Sequence, residues 1–460
     1  MPDYRQGMSG SGLVTTSPLW TRLSLLAADL FSGLTVVGLS YLWAGPGTIS
    51  ASKLLFFFVL TVIGIACGGM YNKIVVHPAM EMKRIFVIIC SITFVLLAGT
   101  LSVNFSTIDG YRQLVFTGIG FAFLAPTIRA TLRLSLGRSA WWGESCAIIT
   151  RDKEIFETLK RVPELGLKPV ALYTEDNVLN DADNAHASIT QNGKISYVLL
   201  SRPELDLDEM TDLRRKARRV FREVIMVPNP SSHTQWTTQT VHDALLVYGV
   251  RRTETWFVGP LLKRIFDLVV ATATLLATLP IMVIIAILVR LDSKGACIFR
   301  QERLGHYGKT FNVFKFRTMA LDAEARLAEL LESDAGLKKE YETFHKLRYD
   351  PRITNVGRVL RRFSLDELPQ LVNVIMGDMS LVGPRAYMPQ ERTDMLNLDD
   401  EILREKPGIS GLWQVSGRNR LSFEERVWTD VTYNRNVSVW MDLFLLMKTV
   451  PVVLSGDGAN

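Results

Sequence analysis

The chain has 460 residues, is 48% hydrophobic and carries 52 Lys and Arg against 46 Asp and Glu, a formal net charge of +6. That length accommodates about three domains, and a mean hydropathy of +0.16 sets it apart from ordinary soluble proteins and points to membrane segments. Its Arg and Lys cluster beside apolar segments rather than on a groove-reading face, which argues against nucleic acid and for anionic lipid and pyrophosphate as partners.

Residues 1–18 are polar, rich in Gly and Ser, and are expected to form a disordered tail. Four apolar runs follow, Leu23–Trp43, Leu54–Met70, Ile85–Val103 and Leu114–Ile128, each near the length that crosses a ~30 Å hydrocarbon core, the last being the shortest. They predict a four-helix transmembrane bundle over residues 19–139. Arg5, Arg22, Lys73, Lys83, Arg84, Arg129, Arg133 and Arg138 flank one side and only Lys53 and Arg112 the other, so both ends of the bundle are expected in the cytoplasm. Asp29 within the first run either marks an ion or substrate path or, the plainer reading, sits near the interface or bonds a neighbouring helix. Cys67, Cys90, Cys146 and Cys297 show no metal spacing and the six histidines form no HExxH, so zinc is not expected.

From residue 140 to 229 the pattern turns to α/β. CAIIT (146–150), LKPVALY (167–173), ISYVLLS (195–201) and EVIMVPN (223–229) read as strands, with helices at 153–161 and 209–221 between them. This alternation predicts a small parallel sheet of Rossmann-like type. The first turn, Thr150-Arg151-Asp152-Lys153, has no glycine, so the domain reads as degenerate and serves packing, regulation or oligomerisation rather than dinucleotide binding. Residues 230–260 read as a linker with a possible hairpin.

The remainder, 261–460, reads as one catalytic unit. Leu268–Val289 is apolar throughout, yet both flanks are basic: Lys263 and Arg264 before it, Arg290, Lys294, Arg300 and Arg303 after it. Pro280 removes a backbone donor mid-way, and Thr274 and Thr278 can satisfy the freed carbonyls. Residues 263–291 therefore predict a re-entrant helix-break-helix with its break at Leu279 and Pro280, a straight fifth span being the alternative. Basic strands or turns follow at 299–319 and a charged helix at 322–344. Lys309 belongs to a GKT that lacks the earlier glycine of a P-loop.

The stretch PRITNVGRVLRRFSLDELPQLVNVIMGDMSLVGPR, residues 351–385, carries the chemistry. Val359, Leu360, Phe363, Leu365, Leu368 and Leu371 recur at helical intervals, predicting one amphipathic helix that holds Arg361, Arg362, Asp366 and Glu367. Gly377 and Gly383-Pro384 allow turns that bring Arg385 back towards it. Two carboxylates ringed by arginines suit phosphoryl transfer, in which one attacks phosphorus and the other holds Mg²⁺. On the Asp-Glu pair alone, a salt-bridged surface helix is the plainer reading. The last helix, 437–454, is amphipathic and is expected to lie in the membrane interface.

SLDELPQL, GDMSLVGPR, KFRTM (315–319) and KPGISGLWQVSGRN (406–419) resemble, in content and order over residues 259–460, the bacterial polyprenyl-phosphate phosphoglycosyltransferases, the monotopic initiating sugar-phosphate transferases. The whole chain resembles the long, galactose-transferring members, with glucose the alternative sugar. The resemblance implies that Asp366 attacks the β-phosphate of a UDP-sugar, releasing UMP, and that undecaprenyl phosphate then takes the phosphosugar, as O-antigen, capsule or exopolysaccharide assembly begins. It makes Glu367 the Mg²⁺ ligand and gives Arg385 and Arg418 the donor phosphates. Arg361 would position the nucleophile, Lys315 and Arg317 would bind substrate, and Asp430 follows by motif order. It further implies a homodimer in the bacterial inner membrane, with a catalytic domain in the interface on the cytoplasmic face. Ala386 departs from the family's usual VGPRP, so a looser turn is expected after Arg385. A sugar-nucleotide dehydratase would need a glycine fingerprint and Tyr-x-x-x-Lys, both absent; a non-catalytic scaffold regulating polymer length would leave Asp366 dispensable.

Overall fold

The computed structural model describes residues 16–44, 51–71, 77–102, 108–150, 159–160, 162–173, 195, 197–201, 223–226, 258–319, 332, 352–416 and 421–455. The chain divides into two compact units, residues 1–251 and 252–460. The expected linker, the helices at 153–161, 209–221 and 322–344, and Arg418 lie wholly or mostly outside the described residues.

The first unit opens with α1 (Pro18–Ala44), α2 (Ala51–Cys67), α3 (Pro78–Ser102) and α4 (Ile108–Leu136). α1, α3 and α4 are long and apolar enough to cross a membrane, whereas α2 has 17 residues. The sequence made the last run the shortest, but α4 is the longest of the four at 29 residues. It outruns its apolar stretch because Arg129 and Arg133 stay helical and are neutralised inside the bundle. Arg129 bonds Asp29 at 2.5 Å and Glu81 at 2.7 Å, and Arg133 bonds the other oxygen of Glu81 at 2.5 Å. Tyr71 donates its hydroxyl to Asp29 as well. Two charges of each sign cancel, which is the condition for burying them. Asp29 thus bonds a neighbouring helix, the second of the two readings above. Phe57, Ile65, Ile85, Ile89, Phe121 and Ala122 fill the space between the helices.

Four parallel strands follow: β1 (Glu144–Thr150), β2 (Leu167–Tyr173), β3 (Tyr197–Ser201) and β4 (Glu223–Met226), in the order β2-β1-β3-β4. Ala147, Ile148 and Ile149 of β1 and Val198, Leu199 and Leu200 of β3 are fully buried, as a sheet covered on both faces requires.

The second unit begins with α5 (Val258–Asp292), 35 residues with Pro280 inside. Leu279 and Pro280 remain helical, so no non-helical residue interrupts the segment where a break was expected. Proline deletes one backbone donor, and the Thr278 hydroxyl gives the carbonyl of Thr274 a bond of 2.7 Å nearby. β5 (Ile298–Leu304) and β6 (Thr310–Phe316) form an antiparallel hairpin. α6 (Asn355–Arg362) and α7 (Gln370–Met376) lead to β7 (Ser380–Val382), which pairs in parallel with β8 (Gly408–Ser410). Two motifs distant in sequence meet there. A Cβ on Gly408 would lie 2.1 Å from the Gly383 nitrogen, so only glycine permits this approach. α8 (Asp399–Ile402), α9 (Leu412–Ser416), α10 (Phe423–Arg435) and α11 (Val439–Ser455) complete the unit.

α5 is fastened at both ends. Lys263 bonds Asp442 at 2.5 Å and the Val382 carbonyl at 3.0 Å, and Arg264 caps the carbonyl end of α7 at Val374 and Ile375. Asp267 accepts from the Ser380 hydroxyl and the Leu381 amide. At the other end Ile285 and Val289 pack on Phe316 and Leu360, and Asp292 accepts from Val356.

Candidate active site

The carboxylate pair does not share a helix with Arg361 and Arg362. α6, capped by Thr354, ends at Arg362; Ser364 adopts a left-handed conformation (φ 53°), and Leu365–Glu367 form a single 3-10 turn before α7. The left-handed Ser364 ends the run of α6, and Pro369, which lacks the N–H that a continuous helix would direct to Leu365, stands at the start of α7. The turn leaves Asp366 and Glu367 half-buried, on a rigid corner between two helices.

Lys315, on β6, reaches the Glu367 Oε1 at 2.9 Å. β6 is held against α7 by Asn373, whose side chain accepts from the Phe314 amide and donates to the Asn312 carbonyl, so Lys315 is fixed by sheet and helix together. Burial raises the Asp366 carboxyl above its ordinary range and the charge of Glu367 raises it further, while Lys315 and Arg361 pull it back. Arg361 donates through Nε to the Thr318 hydroxyl at 2.9 Å.

The loop after β7 lies within electrostatic reach. Arg303, on β5, feels Arg385, Glu391 and Glu367 together. The Arg385 amide donates to Asp430 at 3.0 Å, and its guanidinium pairs with Glu391 at 3.2 Å. Tyr387 donates its hydroxyl to the same Asp430 oxygen at 2.8 Å. Asp430 is completely buried, and burial pushes its carboxyl up to about 7. It therefore shapes the loop that carries Arg385. The looser turn expected at Ala386 is instead tied down, because its carbonyl accepts from Arg303 at 3.1 Å.

Arg317 points elsewhere, donating to the carbonyl and hydroxyl of Ser293 just past α5. No group of three or more His, Cys, Asp or Glu that could hold a metal occurs among the described residues. Two adjacent carboxylates do fit Mg²⁺, which takes one or two protein oxygens and completes its shell from phosphates and water.

Residues 258–456 match the family described as Bacterial sugar transferase. The chain is 32% identical over 397 residues to an uncharacterized sugar transferase of Haemophilus influenzae, covering 82% of this chain and 83% of the relative. It is 33% identical over 353 residues to the undecaprenyl-phosphate galactose phosphotransferase of Salmonella typhimurium, covering 73% of each. The chain belongs to the bacterial sugar transferase family. A further relative, the UDP-glucose:undecaprenyl-phosphate glucose-1-phosphate transferase of Escherichia coli, is 33% identical over 316 residues, 64% of each chain. Sequence reasoning assigned no role in this sugar transferase to Glu391, Tyr387, Trp413 or Arg426. All four gather round Arg385 through folding, and only the capping position of Glu391, three residues after Met388, has a local signal.

Proposed function

We propose that the chain transfers a hexose 1-phosphate from a UDP-sugar to undecaprenyl phosphate, with galactose the first sugar to test and glucose the second. The observation that carries this is the half-buried Asp366–Glu367 turn with Lys315 at 2.9 Å, beside the Arg385 loop. An Asp366 oxygen attacks the β-phosphorus, the bond from that phosphorus to the bridging oxygen breaks, and UMP leaves with the electron pair. A phosphate oxygen of undecaprenyl phosphate then attacks the same phosphorus, freeing Asp366 and giving the lipid diphosphate sugar. Arg385 and, by motif, Arg418 bind the donor's phosphates; Lys315 orients Glu367, Arg361 flanks the nucleophile, and Asp430 positions the Arg385 loop. Arg317 serves substrate only from the α5 end of the site. Glu367, with Asp366 beside it, would hold Mg²⁺, which when bound neutralises phosphate charge.

A buried lipid and a soluble donor meet if α5 is re-entrant. A straight 35-residue helix is about 52 Å long. Spanning with both ends fastened to α6, α7, β7 and α11 would draw their charged residues into hydrocarbon, at a cost of several kcal/mol each by order of magnitude. A bend at Pro280 avoids this and exposes Leu276, Leu279, Ile281 and Ile284 to lipid at its tip. The catalytic unit then lies on the cytoplasmic face of the inner membrane, with α11 in the interface. The four-stranded sheet is the degenerate Rossmann-like domain, suited to packing or to a homodimer contact.

Intact-protein mass spectrometry after incubation with Mg²⁺ and a panel of UDP-sugars tests the reading. Wild type should gain one hexose phosphate and release UMP, and Asp366→Asn should fold and gain nothing. No adduct and no UMP from any donor, with the lipid phosphate also supplied, would leave a scaffold as the reading to pursue.

A further inference from the structure

Beyond the carboxylate pair, three arginines converge on the loop after β7. Arg385 lies over the Trp413 ring, its guanidinium carbon 5.6 Å from the centroid, and Arg426 lies 5.7 Å from the same centroid. Arg303 holds the next residue's carbonyl and stands 3.9 Å from Glu391. Burial first, and the charge of Arg385 after it, hold both Arg303 and Arg426 below the usual arginine range. The carboxylates facing them are Glu391, paired with Arg385, the buried Asp430 and, on the Arg303 side, Glu367. Glu367 is shared with Lys315 and burial holds Asp430 towards its neutral form, so the half-buried arginines keep a positive surplus that an anionic ligand would relieve.

The donors are not exhausted. A guanidinium has five N–H groups; Arg385 directs Nη2 at Glu391, and Arg426 directs Nε and Nη2 at one acceptor, the Leu421 carbonyl. Trp413 supplies a π face that holds two mutually repelling guanidiniums in fixed planes. Arg303 feels Glu367 on one side and Arg385 on the other, so the arginine group continues the carboxylate centre.

We propose that Arg303, Arg385 and Arg426, plated on Trp413, form the subsite for the nucleoside 5′-monophosphate half of the donor, the half that departs. This rests on the sugar-phosphate reading above; Arg303, Arg426 and Trp413 are additions to it. When the bond to the β-phosphorus breaks, its electron pair stays on the α-phosphate oxygen, and the arginines meet the charge that develops there.

The test is calorimetric binding of UMP to the full-length protein in detergent micelles, with uridine as the phosphate-free control. Arg426→Gln should weaken UMP binding by about 10- to 100-fold, with Arg426→Lys in between because it keeps the charge without the fork. Trp413→Leu should lose affinity and Trp413→Phe recover most of it. kcat/KM for the lipid phosphate, which reads only the second half-reaction, should stay where it is in all four variants, which a general loss of structure would not allow. Unchanged UMP affinity in Arg426→Gln and Trp413→Leu would overturn the proposal, as would folded variants whose acceptor kcat/KM fell as far as their UMP affinity. A wild-type protein that forms the Asp366 adduct yet binds UMP no tighter than uridine would overturn it while leaving the sugar-phosphate reading intact. Absence of both adduct and UMP binding would end both.

Discussion

Asp366 and Glu367 are neighbours with different surroundings, and the difference fits the separate roles proposed for them. Glu367 is engaged by Lys315, whereas Asp366 is held above its ordinary range by burial and by Glu367. The Lys315–Glu367 pair is about a quarter exposed on each side, so Lys315→Met should cost less than about 1 kcal/mol of stability. Adduct formation should nevertheless slow by about 10- to 100-fold, because a preorganised cation beside the reacting phosphate is lost. Thermal unfolding and single-turnover mass spectrometry on the same samples separate the two effects. Asp430 behaves differently. Its Oδ1 has no hydrogen-bond partner among the described residues and its carboxyl is pushed up to about 7. The folded protein therefore keeps a proton that the unfolded chain, with a carboxyl near about 3.9, releases. Stability from this group is greatest below about pH 4, falls as pH rises to about 7 and is flat above it. Asp430→Asn should flatten that slope when thermal midpoints are compared across the range.

At the scale of elements, the site is a corner between α6 and α7 together with the meeting of β7 and β8, and α5 is the strut beneath them. Lys263 ties α5 to β7, α10 and α11 by bonding the Val382 carbonyl, the Tyr433 hydroxyl and Asp442. Lys263→Met leaves Asp442 buried and unpaired by any cation, and is expected to cost about 3–5 kcal/mol. Adding Asp442→Leu should return part of that loss, which a double-mutant cycle on unfolding midpoints will read. The strands of the parallel sheet were legible because β-branched runs and turn residues signal them locally, whereas the β5–β6 pairing was read only as basic strands or turns. The glycines at 377 and 383 pointed to a turn that brings Arg385 back, and in the structure Arg385 and Glu367 both act on Arg303. The break between Arg362 and Asp366, at the left-handed Ser364, was not read because the apolar period runs through it undisturbed. Trp413 between Arg385 and Arg426, and Asp430 beneath the loop, depend on contacts between distant segments, and no local pattern announces those.

For the whole molecule the decisive matter is which side of the membrane each end of α5 occupies. Basic residues flank the apolar run on both sides, so neither flank is the one that a positive-inside bias would export. Both ends also dock on the same 252–460 unit, which favours the re-entrant helix proposed above over a straight span. Leu262 and Leu291 are 52% and 79% exposed, one near each end, and suit single-cysteine labelling once Cys67, Cys90, Cys146 and Cys297 are replaced. An impermeant maleimide should reach both positions in inside-out vesicles and neither in right-side-out vesicles. Labelling of one position from each side would establish a straight span, and with it a catalytic unit exposed opposite to the donor. Pro280→Ala sharpens the comparison, because it restores the missing N–H and removes the cause of the proposed bend. On that proposal a fraction of the variant should label from both sides and lose turnover in the same proportion, since a straightened helix would carry Asp366 away from the headgroup level proposed for it.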